Sequence, residues 1–175
     1  KNTSVKRAFF SSSSEVYGEP VELPQNEETT PLNSSVPYAV VKNVGESYFR
    51  SYYKSFGLPF TIFRFFNTYG PNQSEDFVVS KFLKAALNNK DITIYGDGKQ
   101  VRDWLHVIDH CKGIEKVLAK GEVGATYNIG GNNEKTNIEV VNYICDLLDE
   151  IKPQKNGQSY RKQINFVKDR PGHDQ

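Results

Sequence analysis

The sequence predicts an α/β fold that begins with a parallel sheet and continues into a smaller lobe of mixed strands and helices. Residues 5–10, which end in Ala-Phe-Phe, indicate a buried strand, and residues 60–66 indicate a second strand, rich in aromatic and β-branched side chains. Between them, apolar residues recur about every four positions over residues 36–56, which is the spacing of one helix face. A strand, a helix and a strand in this order predict a βαβ crossover with parallel strands.

Local signals place the boundaries of these elements. Four serines at residues 11–14 predict a polar loop after the first strand, and the Pro-, Glu- and Asn-rich residues 19–34 predict a surface loop. Ser34 or Ser35 is expected to cap the helix, with Pro37 in its first turn. Turn residues are expected to end the helix at 57–59 and the second strand at 67–71. Periodicity further predicts helices over residues 77–88, 109–119 and 137–151 and strands over residues 92–95, 125–129 and 164–167.

Composition argues against several classes of function. The 175 residues carry 22 basic and 21 acidic side chains, so the basic face of a sequence-blind nucleic-acid binder is not expected. No run approaches the roughly 18–20 apolar residues of a membrane span. Cys111 and Cys145 lie too far apart for a metal knuckle, so we expect no metal site but two buried free thiols and a cytoplasmic protein. Because the chain contains no methionine, we expect it to be part of a longer polypeptide.

The chemistry predicted from the sequence centres on Tyr38 and Lys42. Residues four apart on a helix lie on one face, one turn from each other. A tyrosine with an ordinary pKa of about 10 is a poor base at neutral pH, but a lysine ammonium within a few ångströms favours the phenolate. The same lysine can donate a hydrogen bond to a ribose hydroxyl. Many helices contain this spacing by chance, so the pair needs support from other residues.

A second candidate segment, Ser11-Ser12-Ser13-Ser14-Glu15-Val16-Tyr17-Gly18, follows the first strand. Open α/β sheets bind ligands at the carboxyl ends of their parallel strands. A serine at this edge can donate a hydrogen bond to a sugar oxygen while the tyrosine takes the proton, as the oxidation of a secondary alcohol requires. Glu15 is expected to be either a solvated carboxylate or a catalytic base.

Several motifs together resemble those of the extended short-chain dehydrogenase/reductases that act on nucleotide sugars. They are Ser-Ser-Ser-Glu-Val-Tyr-Gly at residues 12–18, Pro-Tyr-x-x-x-Lys at 37–42 and Phe-Asn-Thr-Tyr-Gly-Pro at 66–71. In the C-terminal half, the sequence is similar to the dTDP-glucose 4,6-dehydratase branch of that family. The segments that carry this similarity are residues 101–107, 126–131, 144–151 and 169–174.

The resemblance implies both a fold and an activity. Residues 1–70 are expected to form the C-terminal part of a Rossmann-type doubly wound parallel sheet, which is half of an NAD-binding domain. Residues 71–175 are expected to form a nucleotide-sugar-binding lobe, with some strands returning to the sheet. The implied enzyme uses NAD to oxidise C4 of a dTDP- or UDP-hexose. The implied assembly is a homodimer through the helix around residues 36–56.

The resemblance also implies roles for individual residues. Tyr38 is expected to take the proton of the C4 hydroxyl as hydride leaves C4 for NAD, while Lys42 holds the nicotinamide ribose. Ser13 is expected to bond the sugar O4, next to Ser14 and Glu15. Guanidinium groups suit the diphosphate because they bind it through two parallel hydrogen bonds. The implied substrate-binding residues are Asn67 at the nucleotide sugar near the cofactor, Arg102 and Arg170 at the diphosphate, and Asn128 and His173 at the nucleotide end of the cleft.

The chain departs from the family pattern in its glycine-rich loop. The G-x-G-x-x-G segment that cradles the NAD pyrophosphate is absent, as is the acidic residue that binds the adenosine ribose. In the family these features lie upstream of the part that this chain resembles. The 175 residues by themselves are therefore expected to be inactive. A non-catalytic nucleotide-sugar-binding module remains an alternative of a different functional class.

A second departure concerns the reaction that follows C4 oxidation. The family's 4,6-dehydratases carry Thr-Asp-Glu where this chain has Ser13-Ser14-Glu15. Glu15 can remove the C5 proton, but an alcohol at position 14 is far too weak an acid to protonate a departing C6 hydroxyl. The tripeptide resembles that of UDP-glucuronate decarboxylases, which need no such acid, and a 4-epimerase needs none either. The C-terminal segments favour the dehydratase, with decarboxylase or epimerase as the alternative.

Overall fold

A computed structural model describes residues 5–19 and 21–169 of the chain. It contains both strands and helices, and the chain divides into two compact units. In chain order the elements are β1 (Ala8–Ser13), a 3₁₀ helix (Ser14–Tyr17), α1 (Pro37–Phe56), β2 (Phe60–Phe65), β3 (Asn67–Tyr69), α2 (Val78–Leu87), β4 (Ile92–Tyr95), β5 (Val101–His106), α3 (Val107–Lys120), β6 (Thr126–Ile129), β7 (Glu134–Thr136), α4 (Asn137–Ile151), a second 3₁₀ helix (Tyr160–Gln163) and β8 (Ile164–Val167).

The first unit contains the predicted βαβ crossover. It comprises the described residues up to Thr68 together with Leu105–Asn132. β1, β2 and β6 form a parallel sheet with β2 in the centre. α1 packs against β1 and β2, and α3 contacts β6. On the α3 side, Phe63, Leu105 and Ile129 form a small buried cluster. Helices over the sheet and parallel strand pairing confirm the predicted fold class.

The boundaries of α1 follow from its terminal residues, although the predicted cap is wrong. Pro37 occupies the first turn, where its missing N–H is not needed. Val36, which has no side-chain acceptor, is the N-cap instead of Ser34 or Ser35. The Ser34 hydroxyl is used elsewhere, since it donates to the Val16 carbonyl at 3.3 Å. Gly57 ends the helix with φ 70°, a left-handed conformation that suits glycine.

Two predicted loops are strands in the structure. Ser11, Ser12 and Ser13 continue β1 and pair in register with Phe63, Arg64 and Phe65 of β2. Serine has little intrinsic preference for strands, but the ladder with β2 satisfies its backbone groups and outweighs that preference. Likewise, Asn67–Tyr69 form β3 instead of a turn.

The second unit comprises Tyr69–Trp104 and the described residues from Asn133 onward. β4 and β8 pair in parallel, and α2 and α4 pack beside them around a core that includes Phe82, Ile94 and Leu148. β5 pairs antiparallel with β7, two strands that the periodicity did not predict, and β3 joins the same sheet. The predicted bounds of α4, β4 and β8 are confirmed.

The two cysteines differ in their environments. Cys145 in α4 is buried, and burial raises the pKa of its thiol to about 11. Cys111 in α3 is exposed, so the expectation that both thiols are buried is wrong. Both are free, and α3 packs against the small core of the first unit through the half-buried Ile114 and Val117 while Cys111 stays exposed.

The expected division at residue 70 into a cofactor half and a substrate lobe stays a prediction. By contacts, the segment from Leu105 to Asn132 belongs with the first unit, where β6 pairs with β2. Within residues 5–19 and 21–169, no helix is long and apolar enough to cross a membrane.

Candidate active site in the first unit

Tyr38 and Lys42 lie in the first two turns of α1. The Tyr38 side chain is 55% exposed. The Lys42 ammonium lies 5.6 Å from the centre of the Tyr38 ring, and it donates a 2.7 Å hydrogen bond to the carbonyl of Ser11 in β1. It also lies 5.7 Å from the centre of the Phe10 ring. The four-residue spacing therefore places the Tyr38 ring beside the Lys42 ammonium, and the hydrogen bond to Ser11 fixes that ammonium to β1.

Close packing holds α1 against β1. A Cβ atom on Gly45 would lie only 2.2 Å from Cζ of Phe10, so the helix approaches the strand at the one position without a side chain. The Phe10 ring also packs against that of Phe49, one turn after Gly45, with ring centres 5.1 Å apart and the planes tilted by 31°. The helix contacts the 3₁₀ turn that follows β1 as well.

Ser13, Ser14 and Glu15 form the junction between β1 and the 3₁₀ helix. Ser13 is buried, and its hydroxyl accepts a 3.2 Å hydrogen bond from the Glu15 N–H, which caps the 3₁₀ helix. Ser14 and Glu15 are half-buried. The turn closes at Gly18 with φ 64°, where a Cβ atom would lie 2.0 Å from the Asn33 carbonyl oxygen. The segment therefore has a tightly constrained backbone at the carboxyl end of β1.

Of the predicted substrate-binding residues, Asn67 and Asn128 also belong to the first unit. Asn67 begins β3 and is half-buried. The Asn128 side chain accepts a 2.8 Å hydrogen bond from the Tyr17 hydroxyl and donates a 3.1 Å bond to the Gln25 carbonyl. Its backbone N–H donates to Glu27 at 2.7 Å. In this structure Asn128 thus ties the loop before α1 to the sheet.

The remaining predicted residues lie elsewhere. Arg102 belongs to β5 in the second unit, where its guanidinium donates to the adjacent Val101 carbonyl at 2.8 Å. Arg170 and His173 fall outside the described residues. In the part of the chain that the structure describes, no three His, Cys, Asp or Glu side chains are grouped to hold a metal ion.

The structure also contains a buried ion pair that the sequence interpretation missed. Glu46 of α1 and Arg64 of β2 are each 1% exposed and share two hydrogen bonds, of 2.9 and 2.7 Å. Burial by itself raises the pKa of Glu46, but hydrogen bonds from Arg64 and Ser12 outweigh burial and hold that pKa below its ordinary value. A charged residue inside the apolar run at 60–66 was the available signal, because a buried arginine requires an acidic partner.

His110 is a second group that the sequence interpretation missed. Its ring stacks on Phe65, with centres 4.0 Å apart, and its Nδ1 lies 2.7 Å from the Thr68 hydroxyl. Burial lowers the pKa of this histidine, which favours the neutral ring. No periodic signal marks His110, since its partners lie on β2 and β3.

Comparison with known proteins identifies the family. A family model described as GDP-mannose 4,6 dehydratase matches residues 1–175. The chain belongs to this family. The match confirms the resemblance to nucleotide-sugar dehydratases that the motifs indicated.

Individual relatives include dehydratases and an epimerase. The chain is 45% identical over 168 residues to the dTDP-glucose 4,6-dehydratase of Xanthomonas campestris pv. campestris (strain B100), covering 96% of this chain and 48% of that protein. A crystal structure of dTDP-glucose 4,6-dehydratase from Bacillus anthracis str. Ames in complex with NAD has a TM-score of 0.83 at 43% identity, covering 95% of this chain and 50% of that one. UDP-glucuronic acid 4-epimerase from Bacillus cereus in complex with UDP-glucuronic acid and NAD has a TM-score of 0.83 at 30% identity, covering 99% and 52%. The chain therefore spans about half the length of the curated relatives it matches.

Proposed function

We propose that the complete protein is an NAD-dependent enzyme that oxidises C4 of a nucleotide-linked hexose, as a dTDP-glucose 4,6-dehydratase does. The observation that carries this proposal is the exposed Tyr38 phenol beside the Lys42 ammonium, on a helix packed against the strand that ends in Ser13. The 45% identity to a dTDP-glucose 4,6-dehydratase supports the same reaction class.

The proposed chemistry at C4 is a proton transfer to Tyr38. The Tyr38 side-chain oxygen accepts the proton of the C4 hydroxyl, and the Lys42 ammonium is the positive charge beside the Tyr38 ring. The Ser13 hydroxyl, at the end of β1, orients the sugar O4. Each role requires a group at the strand end, which is where parallel α/β sheets bind their ligands.

The residues present fit one end of NAD. An exposed phenol and an ammonium are a suitable donor set for a nicotinamide ribose, and both lie at the start of α1. Tyr38 and Lys42 are therefore the residues that would hold this end of the cofactor. When bound, NAD supplies the electron acceptor for the C4 hydrogen.

By family resemblance, we propose that five further residues bind the nucleotide sugar. Asn67 and Asn128 belong to the first unit and Arg102 to the second. The guanidinium groups of Arg102 and Arg170 suit a diphosphate. His173 and Asn128 are proposed at the nucleotide, although the contacts of the Asn128 amide with Tyr17 and Gln25 must then be shared or exchanged.

Ser14 favours a second candidate reaction. It occupies the first position of the 3₁₀ helix, directly before Glu15. A hydroxyl there cannot donate the proton that a departing C6 hydroxyl needs, whereas decarboxylation or epimerisation after C4 oxidation needs no such donor. A UDP-glucuronate decarboxylase or a nucleotide-sugar 4-epimerase is therefore the alternative, and the similarity to a 4-epimerase structure supports it.

An NMR product assay of the complete protein distinguishes these reactions. The substrates are a panel of dTDP- and UDP-hexoses and UDP-glucuronate. We expect a 4-keto-6-deoxy sugar without consumption of added NAD, because the cofactor is regenerated within each turnover. A pentose or a C4 epimer as the sole product would contradict the dehydratase and support the alternative. Saturable binding of a nucleotide sugar without any turnover would support a non-catalytic binding module.

Ser14→Asp is the informative companion variant. The new carboxylic acid restores the proton donor of the dehydratase tripeptide, so a dehydratase limited by Ser14 should become faster at C6 elimination. A decarboxylase or epimerase should instead gain no 4-keto-6-deoxy product.

We further propose a homodimer through α1 and a cytoplasmic location. The outer face of α1 carries an apolar stripe that is exposed in the single chain: Val40, Val41, Val44, Tyr48, Tyr52 and Phe56. An exposed apolar patch of this kind is typical of an interaction surface. The free thiols of Cys111 and Cys145 suit a reducing compartment.

A further inference from the structure

One row of polar residues crosses the parallel sheet of the first unit. Ser12 of β1 is in register with Arg64 of β2, and Arg64 is in register with Asn128 of β6. Each lies one residue before the end of its strand. Residues in register on neighbouring strands direct their side chains to the same face of a sheet. The row thus lies directly below the strand ends that carry the candidate active site.

Glu46 of α1 accepts hydrogen bonds from two residues of this row. Arg64 donates from Nε to Glu46 Oε1 at 2.9 Å and from Nη2 to Oε2 at 2.7 Å, and Ser12 donates to Oε1 at 2.6 Å. The third guanidinium nitrogen, Nη1, donates to the Tyr17 hydroxyl at 2.7 Å. Tyr17 in turn donates to Asn128 at 2.8 Å. These bonds connect α1, the 3₁₀ helix after Ser13 and all three strands.

The position of Glu46 on the helix connects this cluster to the candidate base. Tyr38, Lys42 and Glu46 are spaced by four residues, so they lie along one side of α1 in successive turns. A constraint on Glu46 therefore limits both rotation of α1 about its axis and sliding along it. Apolar contacts such as Phe10 on Phe49 are non-directional and allow such movements more readily.

We infer that Glu46 and Arg64, with Ser12 and Tyr17, form a positioning cluster that sets where α1 presents Tyr38 and Lys42 relative to the Ser13–Glu15 segment. The two parallel hydrogen bonds between the Glu46 carboxylate and the Arg64 guanidinium fix the relative orientation of α1 and β2, which apolar packing alone does not. Net stability is a weak reason for such a pair, because replacing a buried ion pair with apolar side chains is often neutral for folding. The inference rests on the proposed function, since it assumes that Tyr38 acts on the substrate.

The test uses the complete protein with the double substitution Glu46→Leu/Arg64→Met, which replaces the pair with apolar side chains. We expect the unfolding midpoint to stay near that of the unsubstituted protein. Amide hydrogen exchange over residues 13–17 and 38–42 should become about tenfold faster. In the unsubstituted protein a local opening must break the hydrogen bonds of the cluster, and in the variant it does not, so openings are more frequent. The kcat for C4 oxidation should fall about 100-fold, while KM for the nucleotide sugar changes less than about threefold.

A matched control makes the same chemical change at an exposed ion pair. Arg161 and Asp146 in the second unit share two 2.6 Å hydrogen bonds, and both side chains are about half exposed. Asp146→Leu/Arg161→Met should leave kcat and the exchange of residues 13–17 and 38–42 unchanged. If the double variant at 46 and 64 does not fold, Glu46→Gln keeps the shape of the side chain and is measured in the same way.

The outcomes separate this inference from the proposed function. Unchanged exchange and unchanged kcat in the Glu46/Arg64 variant would overturn the positioning role. If the unsubstituted protein oxidises no nucleotide sugar, the proposed function fails and the exchange data decide alone. Faster exchange confined to residues 13–17 and 38–42 then supports the cluster as an anchor of the segment, and unchanged exchange refutes it.

Discussion

At the scale of single residues, Tyr38 differs from the tyrosines that serve the fold. Tyr17 is buried and bonds Arg64 and Asn128, and Tyr160 is buried and donates to the Lys152 carbonyl at 2.9 Å. Tyr38 instead extends its ring towards solvent beside the Lys42 ammonium. Its phenol is therefore accessible to a bound substrate, as a base must be.

Tyr38→Phe tests this residue. Removing the phenol oxygen eliminates the proton acceptor, so kcat for C4 oxidation in the complete protein should fall by at least about 100-fold. Substrate binding, measured by calorimetry, should change much less. Tyr143→Phe on α4 is the matched control, since Tyr143 is also an exposed helical tyrosine, and it should retain full activity. A Tyr38→Phe enzyme with normal kcat would exclude Tyr38 as the base.

His110 supplies a pH prediction at the same scale. Because burial lowers its pKa, the unfolded chain binds a proton near pH 6.5 while the folded chain does not. Its stabilising contribution is therefore complete above about pH 6.5 and declines as the pH falls below that value. Urea unfolding should show that acidification from about pH 8 to about pH 5.5 destabilises the unsubstituted protein more than His110→Gln. Parallel pH profiles for the two proteins would contradict this prediction.

At the scale of elements, the turn after β1 depends on its backbone conformation. Ser13 caps the 3₁₀ helix, and Gly18 ends it with φ 64° and ψ −148°, a conformation open essentially to glycine alone. The Asn33 N–H also donates to the Val16 carbonyl at 3.0 Å. The turn is therefore stabilised both by its own cap and by a hydrogen bond from the segment that precedes α1.

Gly18→Ala tests the constraint on this turn. The new Cβ would combine an unfavourable backbone conformation with a 2.0 Å approach to the Asn33 carbonyl, so we expect a loss of at least about 3 kcal/mol of unfolding free energy. Gly57→Ala is the matched control. Gly57 also has a positive φ, of 70°, but a Cβ there meets nothing within 4 Å, so its loss should be only about 1–2 kcal/mol. If both variants lose the same unfolding free energy in urea, the contact with Asn33 does not add to the cost of Gly18→Ala.

At the scale of the whole molecule, the outer face of α1 is the surface that we propose for dimerisation. The helix buries Ala39 and Glu46 against its own unit, while Val44 and Tyr48 remain exposed. Removing such apolar area from water favours association. In the proposed homodimer, a second copy of the chain would present the same apolar face across a two-fold axis.

Tyr48→Glu tests the proposed dimer. A carboxylate in the apolar stripe must be desolvated on both subunits, so light scattering should show the complete protein converted from dimer to monomer. Tyr143→Glu on α4 is the control, because Tyr143 is 60% exposed and Tyr48 63%. A Tyr48→Glu protein with unchanged mass would place the interface elsewhere.

The sequence alone determined the features that depend on neighbours along the chain. The βαβ order, the extent of α4 over Asn137–Ile151 and the one-turn spacing of Tyr38 and Lys42 all follow from local periodicity. The motifs around Ser13, Tyr38 and Asn67 also identified the family that the comparison confirmed. Each of these signals is contained within a few consecutive residues.

Only the tertiary structure decided the features that depend on residues far apart in sequence. Ser11–Ser13 became a strand because β2, some 50 residues later, pairs with them. Glu46 and Arg64 are 18 residues apart, and Tyr17 and Asn128 are 111 apart, yet they share one hydrogen-bonded cluster. Polar residues without local periodicity acquire their partners only when strands and helices pack, since a buried donor or acceptor must then be satisfied. For this reason the residues of the candidate base were predicted, while the cluster below them was not.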